Sequence, residues 1–462
     1  MKKIILTLTA IWSVSVLWAQ GDVYEKSDEY EWPDDTEVVR KLKDWQDLKF
    51  GVLIHWGLYA VPGIVESWSI CDENWITRDT TMTYQQYKDW YWGFAEKFTP
   101  TNFNPKQWAR VMKDAGMRYM IFTTKHHDGF CMYDSRYTDF SIARHAFKNH
   151  PERDVLRYVL NAFQEEQFML GTYFSKPDWH SQYYWWDVYP TKGRNVNYPI
   201  STYPWRWKQF QQFTYNQIDE ILSNYGKVDI LWLDGGWVCT ENKQDINMPA
   251  IADMARKHQP GILIVDRTCH GPYENYQTPE RTIPETQLAY PWESCIPLSD
   301  DWGYVNHPKW KSPEKVINTL IEIVAKGGNL VLGVGPTPDG IIQSEAVERL
   351  EQIGEWMKRN GKAIYNTVPT KIYHDGNVWF TSSKDKRKCY AIYMLEEGAG
   401  IPETISWRGN LPKKGTKLRL VENNSTLRWK IHGDSVTVKL PSKLKAQSFA
   451  IEIASPIHEL GI

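Results

Sequence analysis

Several apolar runs in this chain stop at side chains able to do acid–base or hydrogen-bonding work. Val52-Leu53-Ile54 stops at His55-Trp56-Gly57, and Met120-Ile121-Phe122 runs on to Lys125-His126-His127-Asp128. Ile230-Leu231-Trp232-Leu233 stops at Asp234-Gly235-Gly236-Trp237, Ile262–Val265 at Asp266-Arg267, and Tyr290-Pro291-Trp292 at Glu293. Asp234, ending an apolar strand before two glycines and a Trp, reads as a partly desolvated carboxylate open to a ligand. A cap on the next turn is the competing reading. Glu293, beside Trp292, is the natural second carboxylate, with a salt-bridged surface Glu as its competitor. Two carboxylates across a sugar are what glycoside cleavage requires, one ionised for attack and the other holding a proton for the departing oxygen.

His126-His127 invites a metal reading. Adjacent residues on a strand point to opposite sides, so both would ligate one ion only past the strand end. The H-E-x-x-H helix pattern is absent. We therefore read no metal and take the imidazoles, with the Trp N–H groups, as partners for ligand hydroxyls. Asp128 reads as an orienting partner for these histidines. Trp237, just past the two glycines, would supply an aromatic wall to the same site. Trp185-Trp186 would either line the leaving-group side or pack a long βα loop.

The elements that must position these residues alternate short apolar runs with amphipathic stretches, a βαβ texture. Candidate strands are Phe50–Trp56, Tyr119–Thr124, Leu170–Phe174, Val228–Leu233, Ile262–Val265, Leu288–Pro291 and Asn329–Val334. Helices fit Gln107–Ala115, where Asn104-Pro105 opens the first turn and Gly116 ends the last, and Asp154–Gln167, Trp205–Tyr225, Asp245–His258, Pro313–Lys326 and Ser344–Asn360. No glycine-rich phosphate fingerprint follows the first strand, so the pattern predicts a (β/α)8-like, TIM-type barrel rather than an open sheet. No convincing eighth strand is visible, which leaves room for irregularity. From about Tyr365 the texture becomes short alternating runs, an antiparallel domain most simply built as a β-sandwich. The domains are then 1–20, 21–360 and 361–462.

Composition narrows the function classes. The 462 residues carry a formal net charge of −2, which excludes a sequence-independent nucleic-acid binder. Mean hydropathy of −0.54 excludes both a polytopic membrane protein and a disordered chain. Trp 24, Tyr 26 and Phe 15 suit a packed core or a site that stacks on an apolar ligand face. Met1 to Gln20, with Lys2-Lys3 before an apolar stretch and Ala19 near a plausible cut, reads as a secretory signal, so the chain is expected in the periplasm or medium. Its six cysteines lack C-x-x-C spacing, which argues against a zinc ribbon or disulfide scaffold.

Together, Phe50-Gly51-Val52-Leu53-Ile54-His55-Trp56-Gly57, Lys125-His126-His127-Asp128-Gly129-Phe130, Leu231-Trp232-Leu233-Asp234-Gly235 and Pro291-Trp292-Glu293-Ser294-Cys295 resemble the α-L-fucosidases of glycoside hydrolase family 29. The resemblance spans roughly Asp44 to Gly335. It implies a barrel followed by a β-sandwich, and exo-acting hydrolysis of terminal α-L-fucosides on fucosylated glycans, with retention and no cofactor. Carried over by motif, it makes Asp234 the nucleophile and Glu293 the general acid/base, with Glu285 and Glu274 in reserve. His55, His126 and His127 match histidines that hold fucose hydroxyls. Glu66 and Trp68 match a Glu-Trp pair, here with Ser67 interposed, and Tyr173 and Arg267 match an active-site Tyr and Arg. Two other readings stand beside this one: a metal-dependent barrel hydrolase built on His126-His127, and a non-catalytic glycan-binding protein whose C-terminal domain is the lectin.

Overall fold

The computed structural model describes residues 30–457 except 74, 80, 192 and 455; the expected signal at 1–20 lies outside the described residues. Among them, seven buried runs form one parallel sheet: β1 (Phe50–Ile54), β2 (Tyr119–Lys125), β3 (Met169–Ser175), β4 (Ile230–Asp234), β5 (Leu263–Asp266), β6 (Glu293–Pro297) and β7 (Asn329–Val334). Their order is β5-β4-β3-β2-β1-β7-β6. The helices are α1 (Thr36–Leu48), α2 (Tyr84–Trp92), α3 (Pro105–Asp114), α4 (Val155–Glu165), α5 (Pro204–Asn224), α6 (Met248–His258), α7 (Pro313–Ala325) and α8 (Ser344–Asn360).

Strand alternation sorts the side chains. Leu53, Ile121, Ile230, Trp232, Leu263, Val265, Cys295 and Val331 form one buried cluster with Val38, Leu42 and Trp45 of α1. These are the inward residues of a barrel, and α1 closes its lower end. Their neighbours along the strands, such as Val52, Ile54, Leu231 and Leu332, pack outward with helix residues such as Leu156, Leu320 and Ile353. Tyr119 also points inward, where a Cβ on Gly51 would fall 2.4 Å from its ring.

The expected strand at Leu288–Pro291 is loop, and the sixth strand is Glu293–Pro297. No regular eighth strand forms among the described residues. Residues 274–281 fill the gap between the edges instead: Asn275 N donates to Ile264 O (2.9 Å), Glu293 N to Gln277 O (2.8 Å) and Arg281 N to Cys295 O (2.9 Å). One irregular segment thus bonds to both β5 and β6.

The C-terminal part contains β8 (Thr367–Asp375), β9 (Val378–Ser383), β10 (Lys388–Tyr393), β11 (Thr404–Arg408), β12 (Leu411–Pro412), β13 (Leu418–Leu420), β14 (Thr426–His432), β15 (Ser435–Lys439), β16 (Phe449–Ala454) and β17 (Pro456–Ile457). Eight of these form an antiparallel sheet, β11-β15-β14-β13-β16-β10-β9-β8, while β12 and β17 pair separately. The sheet folds over on itself: Trp407 near one edge contacts Phe380 near the other, with ring centroids 6.2 Å apart. Its inner faces share a core of Phe380, Ala391, Ile405, Trp407, Val438 and Ile451, as expected of a sandwich. It docks against α8, where Trp356 Nε1 donates to Ser448 O (2.6 Å).

Candidate active site

A cavity of about 340 Å³ opens where the parallel strands end. Asp234 reaches it by strand alternation: Ile230 and Trp232 point inward, so Asp234, two residues on, does too. The chain then turns tightly. Gly235 has φ +88°, and a Cβ there would meet Pro177 at 2.3 Å; one on Gly236 would meet Thr268 Oγ1 at 1.9 Å.

Both oxygens of Asp234 are held. Arg267 Nη1 donates to Oδ1 at 2.7 Å, the Tyr173 hydroxyl donates to Oδ2 at 2.6 Å, and His127 Nε2 stands 3.7 Å from Oδ2. Burial alone would push this carboxyl up. The Arg267 guanidinium, with the Tyr173 hydroxyl, outweighs it and holds Asp234 well below the usual carboxylate range. It is an ionised group facing a cavity, the state a nucleophile needs.

Arg267 binds a second carboxylate: its Nη2 donates to Glu280 Oε2 at 2.9 Å, and Trp302 Nε1 donates to Glu280 Oε1 at 3.2 Å. The guanidinium lies over the Trp232 ring at 4.3 Å. Neighbouring nitrogens of one planar guanidinium thus hold Asp234 and Glu280 at the same cavity. Glu280 also lines the cavity, and its side chain is 45% exposed, in contact with solvent.

The histidines converge because β2 ends at Lys125, so strand alternation no longer separates His126 from His127. Their rings lie 4.2 Å apart, and His126 lies 5.3 Å from His55. Ser67 Oγ holds His126 Nδ1, and Ser175 Oγ holds His127 Nδ1 at 2.7 Å. Ser175 donates its one hydroxyl proton to Pro177 O (2.7 Å), so His127 carries its proton on Nδ1 and leaves Nε2 as an acceptor. Burial pushes His55 down to about 3, His127 down to about 4 and His126 well below its ordinary value, so all three are neutral at pH 7. Glu66 accepts from the backbone N–H groups of Trp302 and Gly303, each at 2.9 Å, and burial raises its carboxyl despite those donors. Trp68 and Trp237 supply apolar wall, their rings 5.6 Å apart.

The structure thus gathers Asp234, His55, Glu66, Trp68, His126, His127, Tyr173, Trp237 and Arg267 around one cavity. Glu293 is not among them. It is the first residue of β6, not the last of a preceding strand, so it points inward at the lower end of the barrel. There it is fully buried, accepting from the Tyr119 hydroxyl (2.7 Å) and from Trp232 Nε1 (3.3 Å). Burial, only partly offset by those donors, pushes its carboxyl up to about 8. The indole that floors the cavity therefore separates Glu293 from Asp234.

Neither reserve candidate fits better: Glu274 is buried against Thr268 N (2.8 Å) and His270 Nδ1 (3.0 Å), Glu285 is exposed, and neither lines the cavity. Asp128 does not orient the histidines; it accepts from Tyr91 (2.6 Å) and Phe130 N (3.0 Å). Glu280, Arg194 and Trp302 are cavity residues that reading strand ends missed. Glu280 follows no apolar run, and its place depends on the irregular segment beside β6. The only signal for it was an acidic side chain in the stretch where an eighth strand was wanted.

Donor atoms of His126, His127 and Asp234 lie within 4.8 Å of one another, close enough to hold a cation. The donor chemistry opposes one, because Arg267 and Tyr173 already occupy the Asp234 oxygens and a permanent positive charge sits 2.7 Å away.

The family model for alpha-L-fucosidase matches residues 17–362. A tissue alpha-L-fucosidase of Bos taurus is 29% identical over 444 residues, covering 92% of this chain and 89% of its own. A plasma alpha-L-fucosidase of Homo sapiens is 27% identical over 435 residues, covering 87% of this chain and 86% of its own. Among solved structures, alpha-L-fucosidase isoenzyme 1 from Paenibacillus thiaminolyticus superposes with a TM-score of 0.75 at 28% identity, covering 91% of this chain and 99% of its own. The Thermotoga maritima alpha-fucosidase in complex with fucose gives 0.72 at 27%, covering 92% and 100%.

Proposed function

The chain belongs to the alpha-L-fucosidase family, glycoside hydrolase family 29, and from that premise we propose that it is an exo-acting retaining α-L-fucosidase working through Asp234 and Glu280. The observation that carries this reading is the Arg267 guanidinium shared by the two carboxylates at 2.7 and 2.9 Å.

In the first step Asp234 Oδ attacks C1 of the fucosyl residue. The bond from C1 to the leaving oxygen breaks, and that oxygen takes a proton from the Glu280 carboxyl. In the second, Glu280 removes a proton from a water whose oxygen attacks C1. The bond to Asp234 breaks and fucose leaves with its configuration retained. Glu280 suits the acid/base role better than Glu66 because it meets solvent, where the leaving group departs and water arrives. Glu66 is almost fully buried and bound to two backbone amides. The neutral imidazoles of His55, His126 and His127 then bind sugar hydroxyls. Trp68 and Trp237 face the C6 methyl, and Tyr173 and Arg267 keep Asp234 ionised.

A 2-deoxy-2-fluoro-fucosyl fluoride forms an intermediate that turns over slowly. Mass spectrometry of the peptide containing Asp234 is expected to show one added fluorofucosyl unit. Labelling at another residue sinks the assignment.

We also propose that residues 1–20 direct export to the periplasm or medium, and that the catalytic unit ends near residue 360. The positive, apolar and small-residue regions in order support the first. The second is supported by α8 ending at Asn360 and the antiparallel strands starting at Thr367. Among the described residues no helix is long and apolar enough to cross a membrane. Sequencing the N-terminus of the exported protein tests the cut.

A further inference from the structure

Charge is divided unevenly along this chain. Residues 361–462 carry 16 Lys and Arg against 9 Asp and Glu, whereas residues 21–360 carry 36 against 47. The nearly neutral total therefore joins a cationic C-terminal part to an anionic catalytic one.

Strand alternation gathers part of the cationic excess on one face. Leu427 and Trp429 of β14, Val436 and Val438 of β15, and Ile405 and Trp407 of β11 turn into the core, so their neighbours turn outward. The register sets Arg428 opposite Lys439 and Lys430 opposite Thr437, and all three cations are exposed. Arg419 of β13, opposite Thr426, extends the row. Among the described residues no carboxylate comes within ion-pair distance of Arg419, Arg428 or Lys430. Lys439 has only Glu403, at 3.2 Å and 80% exposed, and such surface pairs are weak. Glu452, opposite Arg419 on β16, is held instead by Lys362 (2.5 Å) and Lys388 (3.1 Å).

Like charges directly opposite one another destabilise a sheet. Protection of an exposed edge does not account for them, because β14 lies between β15 and β13. A polyanion laid over the face turns this repulsion into attraction.

The surroundings favour one class of polyanion. Hydroxyls stand among the cations: Ser406 Oγ and Thr437 Oγ1 lie 2.9 Å apart beside Lys430, and Thr404 is opposite Lys439. They suit the hydroxyls of a sugar chain. Single-stranded nucleic acid needs rings on which bases stack, and Trp407 and Trp429 turn inward. A rigid duplex touches a flat face along one line only. A membrane holds a basic patch firmly only with a second, apolar anchor. The outward set contains no large aliphatic or aromatic side chain; Ile431, 38% exposed, alternates with it.

We propose that the outer face of β11, β15, β14 and β13 binds acidic polysaccharide, a sugar polymer bearing sulfate or carboxylate groups. The choice of a glycan rests on the fucosidase reading above, but the binding is measured without catalysis. The full chain is titrated at about 150 mM NaCl with dextran sulfate, polygalacturonate, neutral dextran, single-stranded and duplex DNA, and phosphatidylglycerol–phosphatidylcholine vesicles. Wild type is expected to bind at least one acidic polysaccharide about tenfold more tightly than DNA, vesicles or neutral dextran, the two polymers separating sulfate from carboxylate. Arg428→Thr combined with Lys430→Thr keeps strand-favouring residues at exposed positions. It is expected to weaken that binding about tenfold, with Tm unchanged and kcat/KM on an aryl fucoside within about twofold. Lys106→Gln combined with Arg110→Gln, the same loss of charge on α3, is expected to leave binding unchanged. Several results overturn the face: no polysaccharide binding by wild type, DNA, vesicles or neutral dextran bound as tightly, no weakening in the β14 variant, or equal weakening in both. Binding that the β14 variant weakens, in a protein inert toward aryl fucosides, upholds the face and counts against the fucosidase reading alone.

Discussion

Arg267 donates to Asp234 across 2.7 Å while its own Nε is held by Thr278 Oγ1 at 2.9 Å. The cation cannot drift, so the negative charge on Asp234 persists despite burial. Removing it has a signed consequence. In Arg267→Met, burial acts on Asp234 with the Tyr173 hydroxyl left to oppose it, and its pKa rises. The acid limb of the kcat/KM profile is then expected to move to higher pH, with Tyr173→Phe producing a smaller move the same way. An acid limb that stays in place in both variants would show that another group sets it.

Replacing Asp234 itself removes the attacking atom. Asp234→Gly is expected to lose hydrolysis of an aryl fucoside by on the order of 10⁴-fold, with azide restoring part of the rate as an external nucleophile. Loss below about tenfold in steady-state assays would reject the nucleophile assignment.

The two glutamates separate cleanly by leaving group. Glu280→Ala is expected to slow oligosaccharides, which need a proton on the departing oxygen, at least about 100-fold more than an activated aryl fucoside. Glu293→Gln is expected to keep both rates within a few-fold, because Glu293 lies beneath Trp232 and never meets substrate. The reverse pattern would restore Glu293 to catalysis.

Glu293 leaves its mark on stability instead. Its folded pKa of about 8 lies above the ~4.3 of an exposed Glu, so the native state holds a proton that the unfolded chain has released. Its stabilising contribution is complete below the unfolded pKa. It then falls as pH rises through that window, by about 1.4 kcal/mol per pH unit, and is exhausted above the folded pKa. Glu293→Gln cannot titrate, so its Tm relative to wild type is expected to increase from pH 5 to pH 8. A difference independent of pH would mean that Glu293 is ionised in the fold.

Chelation tests the cation reading. Full activity is expected in excess EDTA, because Arg267 and Tyr173 already occupy the Asp234 oxygens that a metal would need. Loss of activity with EDTA and recovery with zinc would establish the metal-dependent hydrolase.

Much of this molecule was readable from local pattern. The helix over Ser344–Asn360 matches the periodicity residue for residue, and Asn104-Pro105 opens α3 with Asn104 Oδ1 accepting from Gln107 N at 3.1 Å. Asp234 was equally plain, because an apolar strand ending in a carboxylate and two glycines leaves the side chain one direction to point. Residues 288–297 misled because Tyr290-Pro291-Trp292 is as apolar as a strand, yet the pairing with β7 begins only at Glu293. Reading Glu293 as the last residue of a strand instead of the first moved it from one end of the barrel to the other.

Strand periodicity, helix caps and the order of the motifs determined, by themselves, that this chain builds a parallel barrel with an ionised carboxylate at its mouth, because those signals depend on neighbours a few residues away. Only the tertiary structure decided which acid faces that carboxylate. Glu280 reaches the cavity because an irregular segment bonds to both β5 and β6 and because Arg267, on another strand end, draws it in. Such contacts depend on residues that no local spacing relates.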